Sequence, residues 1–152
     1  MKSLVLLCAA VLLCAGLVAQ SEKKAMKSKT GIQNPLTGAW KLVSLEEPGA
    51  DGKVHATDCA GMFVFTPNGK ASVQVMYRNQ ETGSAYAHGG YEASYGSYRI
   101  EDSSTFTFHV NGGLVRTLIG KDLKRRYKVV GNRLTVTSTH PSERWKAIWE
   151  RD

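Results

Sequence analysis

The chain has 152 residues, of which 42% are hydrophobic and 22% are charged, and its formal net charge is +7. This hydrophobic content excludes a wholly disordered chain, and the length suits a single domain with its own core. Residues 20–32 carry four lysines and one glutamate, so a large part of the positive charge belongs to a polar N-terminal segment and gives no reason to expect nucleic acid binding.

Residues 1–19 have the pattern of a signal peptide. Lys2 supplies the positive charge, residues 4–18 form a nearly unbroken apolar run, and a polar segment follows at once. The run is too short to span a bilayer comfortably. We therefore expect cleavage after Ala19 and export to the periplasm or the extracellular space, with no stable membrane span after processing. Retention of this segment as a membrane anchor is the alternative.

Residues 20–34 are predicted to form a flexible, lysine-rich linker, because they contain no aromatic residue and little else that could build a core. The folded domain is then expected at residues 35–152. After cleavage Cys59 would be the single cysteine, so the domain cannot form an internal disulfide. A reactive thiol, an intermolecular partner and an inert buried cysteine all remain open for Cys59.

Apolar residues in this domain alternate with a period of two, which predicts β-strands. Pro67-Asn68-Gly69 predicts a hairpin turn, because Asn-Gly readily takes the positive φ values that such turns need. The predicted strands are 39–45, 62–66, 70–77, 91–100, 105–110, 123–130, 134–139 and 145–151. A further apolar stretch at 114–119 is the candidate for a ninth strand. Eight or nine antiparallel strands in sequence order favour a single up-and-down β-barrel. The polar segment 78–90 is expected to be a lid or a plug.

Several short motifs, taken together and in this order, carry a family resemblance. They are Gly38-Ala39-Trp40-Lys41-Leu42-Val43-Ser44, residues 65–76, residues 91–98, Gly131-Asn132-Arg133-Leu134 and the closing Trp149-Glu150-Arg151. The chain from 36 to 151 resembles the lipocalin-like domain family of the calycin group of small β-barrels. The resemblance implies an all-β, up-and-down antiparallel barrel with a ligand cavity, but it implies no particular reaction.

The resemblance also implies a structural cap at one end of the barrel. In lipocalins an arginine or lysine packs over the indole of the Gly-x-Trp motif. The corresponding residues here are Gly38 and Trp40, and either Arg151 or Arg125 could supply the cation through a cation–π contact.

Strand alternation in 123–130 places Leu123, Arg125, Tyr127 and Val129 on one face, which is the more apolar face and is expected to point inward. A guanidinium beside a phenol suits a carboxylate, because the planar fork holds both oxygens. Fatty-acid-binding relatives in the wider calycin group use a similar Arg-x-Tyr pair. Arg125 and Tyr127 are therefore candidates for binding the acidic end of a ligand, with the cap or an exposed position as alternatives for Arg125.

Three further residues are candidate ligand contacts. Tyr98 and Phe108 lie on apolar strand faces and could line a pocket, although ordinary core packing explains them equally well. His109 could point inward as an acid or base, or lie at the barrel end with a backbone hydrogen bond. The four histidines show no metal-ligand spacing, and no cofactor motif is present, so we expect neither a metal nor a cofactor.

The function predicted from the sequence is the binding of a small hydrophobic molecule, with a carboxylate as its candidate polar end, by an exported lipocalin-like barrel. Two alternatives remain. One is a barrel enzyme of cyclase or isomerase type acting on a small hydrophobic substrate, and the other is an envelope protein whose packed barrel binds no ligand. No nucleic acid partner is expected, because the outward basic residues lack accompanying aromatics.

Overall fold

The computed structural model describes residues 34–80 and 84–151, and the predicted signal peptide and almost all of the predicted linker lie outside this part of the chain. The strands are β1 (Gly38–Pro48), β2 (Val54–Thr57), β3 (Cys59–Phe65), β4 (Lys70–Tyr77), β5 (Tyr91–Asp102), β6 (Thr105–Gly113), β7 (Asp122–Val130), β8 (Arg133–Ser138) and β9 (Lys146–Glu150).

Eight of these strands form a closed antiparallel barrel. Each strand from β3 to β8 pairs with the next one along the chain, β1 pairs with β3, and β9 returns to pair with β1. Closure leaves no free edge around the barrel wall, which removes the unpaired backbone groups that an open sheet would expose. The predicted all-β up-and-down barrel is confirmed.

The ninth strand, β2, lies outside the closed barrel and was not among the predicted strands. It pairs with the end of β1, from Leu45 to Pro48, and is separated from β3 only by Asp58. Most of its side chains are exposed, so its sequence carries no apolar alternation that could have revealed it.

The predicted apolar stretch at 114–119 is not a strand. It contains a short 3₁₀-helix, Arg116–Leu118, in the connection between β6 and β7. The part of the chain that the structure describes contains no helix with the length and hydrophobicity that a membrane crossing requires.

Strand alternation fills the barrel with apolar side chains. In β4 the buried residues are Ala71, Val73, Val75 and Tyr77, and in β3 the side chains of Phe63 and Phe65 point the same way. The hairpin between these strands turns at Gly69, whose φ of 78° is in the region that glycine adopts readily, as Asn68-Gly69 predicted. This hairpin lies at one end of the barrel, with the hairpins between β5 and β6 and between β7 and β8.

A cap closes that end. The Trp40 side chain is fully buried, and its indole N–H donates a 2.7 Å hydrogen bond to the carbonyl of Leu36. The Arg151 guanidinium lies 4.4 Å above the indole ring, and its Nη1 donates to the carbonyl of Thr37 at 2.9 Å. Gly38 has a φ of 135°, which residues with a Cβ rarely adopt. The structure thus brings Gly38, Trp40 and Arg151 together, and Arg151 is the cation over Trp40, not Arg125.

Candidate functional site

A cavity of about 70 Å³ lies inside the barrel toward its opposite end, here called the mouth. The cavity walls are apolar and largely aromatic, with Phe63, Phe106, Phe108 and Trp149 among them. A cleft of about 700 Å³ lies outside the cavity, and Glu47, Tyr77, Tyr86 and Trp145 line both spaces. The cavity and the cleft therefore adjoin each other at these four side chains.

Arg125 lies under the mouth, with its side chain only 11% exposed. Its guanidinium carbon is 5.0 Å from the ring centre of Tyr86 and 5.1 Å from that of Trp145, so the cation lies against two aromatic rings. Its Nη1 is 3.7 Å from Oε2 of Glu143 and donates to the carbonyl of Lys124 at 3.2 Å. These contacts cross-link β7, the segment after β4 and the segment before β9.

Glu143 completes this cluster. Its Oε2 accepts hydrogen bonds from the Tyr86 hydroxyl at 2.6 Å and from the Trp145 indole N–H at 3.3 Å. Burial alone would raise the pKa of Glu143, but these bonds, one from Ser138 and the charge of Arg125 lower it overall. Glu143 is therefore an ionised carboxylate at neutral pH. Arg125, Glu143, Tyr86 and Trp145 together form what we call the roof of the cavity.

Glu92 is a second carboxylate at the cavity. It lies on the inward face of β5, two residues before Ser94, and both side chains line the cavity wall. Among the described residues none makes a hydrogen bond or an ion pair with the Glu92 carboxylate. Burial raises the pKa of Glu92 to about 7, because the Arg125 charge only partly offsets desolvation and the nearby Glu47 charge adds to it.

Glu47 lies where the cavity meets the cleft. It accepts hydrogen bonds from the Tyr77 and Thr57 hydroxyls, each at 3.4 Å, and one from the Ser84 side chain. Burial raises the pKa of Glu47, although these three hydrogen bonds oppose the rise. Burial also raises the pKa of Tyr77, so this phenol stays protonated and remains a hydrogen-bond donor.

Comparison with known proteins identifies the family to which this domain belongs. The sequence profile of the lipocalin-like domain matches residues 37–151. The chain belongs to the lipocalin-like domain family. Two crystal structures are similar to it, one of a lipocalin-like protein from Bacteroides uniformis and one of an uncharacterized protein from Bacteroides eggerthii. Both are 16% identical with a TM-score of 0.47; the first match covers 78% of this chain and 99% of the other, the second 77% and 99%. No curated protein matches this chain.

Two of the five predicted ligand contacts, Arg125 and Phe108, line the cavity of this lipocalin-like domain. Tyr98 and Tyr127 point inward but are packed nearer the capped end, away from the cavity lining. The Tyr98 hydroxyl donates to the carbonyl of Thr66 at 3.0 Å, and that of Tyr127 donates to the carbonyl of Asp102 at 3.3 Å. The tyrosine beside Arg125 is therefore Tyr86 and not Tyr127.

His109 lies on the outer wall of the barrel and not in its interior. Its side chain is 41% exposed, and its Nδ1 is 2.7 Å from Oδ1 of Asp122 on the neighbouring strand β7. The reason is alternation, because Phe108 and Val110 on either side of it are buried and point inward. His109 therefore has no access to the cavity, and the acid-base role expected for it has no support from this position.

Four residues at the cavity or its roof are not among the residues predicted from the sequence, namely Glu92, Glu47, Tyr86 and Glu143. Glu92 could have been found, because it shares a strand face with Ser94 and Tyr98 in a predicted strand. Tyr86 falls within the segment 78–90 that is expected to be a lid or a plug, and its side chain lines both the cavity and the cleft. Glu143 lies in the connection before β9, where no local pattern indicated a role.

Cys59 faces the interior near the mouth and is half-buried. Burial raises its thiol pKa to about 11, and the charges of Glu47, Asp58 and Glu92 contribute to the rise. We expect the folded protein to react with iodoacetamide at pH 8 on the order of 100-fold more slowly than free cysteine, because the thiolate is the nucleophile. Mass spectrometry of timed aliquots measures this rate, with the urea-unfolded chain as control. Equal rates in the two states would contradict the expectation.

Proposed function

We propose that this lipocalin-like domain is an exported binding protein that takes up a small, largely apolar molecule through the mouth of its barrel. In this proposal residues 1–19 direct the chain out of the cytoplasm and are removed. The apolar body of the ligand occupies the cavity, and its polar end lies near the mouth beside Arg125, Glu92 and Glu47.

One observation carries the proposal, namely the segregation of apolar and polar groups around the cavity. Most of the side chains that line it are aromatic or aliphatic, and the charged ones are Glu47 and Glu92, near the mouth ends of β1 and β5, and Arg125 on β7. Binding sites for small molecules typically combine apolar walls with a few polar groups that orient the ligand. The cavity of about 70 Å³ is small by comparison with sites for drug-sized molecules, so the expected ligand is small or extends into the cleft.

Native mass spectrometry of the protein purified from its own host is the direct test of this function. A co-purified small molecule that is released on unfolding would support the proposal and identify the ligand. The three tryptophans then show where it binds, because Trp145 and Trp149 line the cavity and Trp40 lies in the cap. Ligand in the cavity shifts the indole NMR signals of Trp145 and Trp149 and leaves that of Trp40 unchanged.

Filling the cavity provides a mutational test. Ala147 lines the cavity from β9, and Ala147→Leu places three further carbon atoms in that space. We expect at least a tenfold loss of ligand affinity, with a destabilisation of about 1–3 kcal/mol from overpacking. Titration calorimetry measures the affinity. The matched control is Ala60→Leu, which adds the same atoms to an exposed position on β3. Unchanged affinity in Ala147→Leu would show that the ligand binds elsewhere.

The cyclase or isomerase alternative has one supporting observation. His109 does not support it, because its side chain lies on the outer wall of the barrel. Glu92 does, because it is a carboxyl group at the cavity whose pKa of about 7 suits a general acid or base at neutral pH. Incubating the protein with the ligand identified by mass spectrometry tests this second candidate. Turnover that is lost in Glu92→Gln would establish catalysis, whereas a ligand recovered unchanged would leave binding as the function.

A further inference from the structure

We propose that the polar end of the ligand is a cationic amine, bound by Glu92, and not the carboxylate that the Arg-x-Tyr pattern suggested. This inference rests on the proposed binding function, because it concerns the same cavity. It assigns to Glu92 the direct contact with the ligand head group and to Arg125 a role in the roof.

The charged side chains around the mouth favour a cation. Two carboxylates, Glu47 and Glu92, and one cation, Arg125, are the charged residues among the described residues that line the cavity. The cleft outside adds two further carboxylates and two arginines, namely Asp58, Glu143, Arg78 and Arg144, and so leaves the imbalance inside the cavity unchanged. The charge of Glu47 disfavours the ionisation of Glu92, and Arg125 compensates Glu92 only in part. A ligand ammonium would remove this imbalance, whereas a ligand carboxylate would increase it.

Arg125 already has partners. Its guanidinium lies against the rings of Tyr86 and Trp145, and its nearest carboxylate oxygen among the described residues belongs to Glu143. A ligand carboxylate bound to Arg125 would share the cavity with Glu92, whose charge already interacts with that of Arg125. Placing a ligand carboxylate near those of Glu92 and Glu143 in a poorly solvated site is unfavourable, so Arg125 is poorly suited to bind an acidic ligand.

Glu92, by contrast, is an acceptor without a donor. Its carboxylate lines the cavity, and within the described ranges no side chain or backbone group donates a hydrogen bond to it. An ammonium group carries three N–H donors, and a hydrogen bond between ionised groups is stronger than one between neutral groups. The neighbouring carboxylate of Glu47 could accept a second of these donors at the cavity entrance.

Protonation gives this inference a distinctive pH dependence. The charged and titratable groups that act on Glu92 are Arg125 on β7, Glu47 on β1, Cys59 on β3 and Tyr77 on β4. Of these, the cysteine and the tyrosine stay neutral below pH 8 because burial raises their pKa values. An alkyl ammonium ion requires the ionised form of Glu92, so its affinity is expected to rise about tenfold between pH 6 and pH 8.

Three ligands of the same chain length test the head group, namely hexylamine, hexanol and hexanoate. We expect hexylamine to bind most tightly at pH 8, followed by hexanol and then hexanoate, with all three monitored through the indole signals of Trp145 and Trp149. Glu92→Gln should weaken hexylamine binding at least tenfold and leave hexanol binding unchanged. The matched control is Glu46→Gln, because Glu46 is adjacent on β1 to Glu47 and pairs with Lys146 outside the barrel.

The outcomes distinguish this inference from the function on which it rests. Hexanoate binding as tightly as hexylamine, or hexylamine binding unaffected by Glu92→Gln, would overturn the amine assignment while hexanol binding still supported an apolar site. Failure of all three ligands to shift the Trp145 and Trp149 signals would overturn both proposals. Amine binding that weakens equally in Glu46→Gln would show general surface attraction and would also overturn the assignment to Glu92.

Discussion

Replacing Trp40 with alanine is expected to destabilise the barrel by about 3–5 kcal/mol, the usual range for removing a fully buried tryptophan. Three interactions disappear together in this variant. The packing of the fully buried indole is lost, the carbonyl of Leu36 loses its 2.7 Å hydrogen bond, and Arg151 loses the ring 4.4 Å below its guanidinium. Because the cap is at the far end from the mouth, ligand binding by the remaining folded protein should be unchanged.

Urea unfolding followed by circular dichroism measures this loss, with Trp145→Ala as the matched control. Trp145 is also next to an arginine, but it is only partly buried and lies in the roof. We expect Trp145→Ala to cost much less stability than Trp40→Ala and to alter ligand binding instead. Equal losses of stability in the two variants would show that the Trp40 cap contributes no more to the fold than a residue of the mouth.

The strands of the barrel could be predicted because their signal is local. A period of two in buried and exposed residues follows directly from strand geometry, and it correctly placed Arg125, Tyr127 and Phe108 on inward faces. The same rule shows why His109 was a poor candidate. Phe108 and His109 are neighbours on one strand, so an inward Phe108 requires an outward His109.

The roof could not be predicted, because its members meet only when the barrel closes. Tyr86 comes from the connection after β4, and Glu143 comes from the connection before β9. These two residues are 57 positions apart in the sequence, and neither lies in a segment with a periodic pattern. Strand alternation could place Arg125 on an inward face, but it could not indicate which side chain from outside the strands would meet it.

Glu92 could be predicted only in part. Its strand and its face follow from alternation, yet its unusual environment depends on four other strands that bring Arg125, Glu47, Cys59 and Tyr77 close to it. A carboxylate on an inward strand face conflicts with the apolar pattern of a barrel core. Such a conflict is expected at a functional site, and we interpret Glu92 in this way.

Glu92→Gln is expected to stabilise the ligand-free protein by about 3–4 kcal/mol at pH 8, given about 1.4 kcal/mol for each unit of pKa difference. Burial raises the pKa of Glu92 to about 7 from an ordinary value of 4.5. Between these two values the folded state binds a proton that the unfolded state has released. The stability of the wild-type protein therefore falls as pH rises through this window, and the decrease is complete above pH 7.

Glutamine has no proton to lose, so Glu92→Gln should match the wild-type stability at pH 4.5 and exceed it at pH 8. Urea unfolding at both pH values measures this difference, and Glu46→Gln, on the outer face of β1, should show no such gain. A loss of stability in Glu92→Gln at pH 8 would mean that the ionised carboxylate contributes to the fold. A gain in stability, accompanied by weaker hexylamine binding, is expected for a residue retained for binding and not for folding, because binding sites commonly reduce the stability of the empty protein.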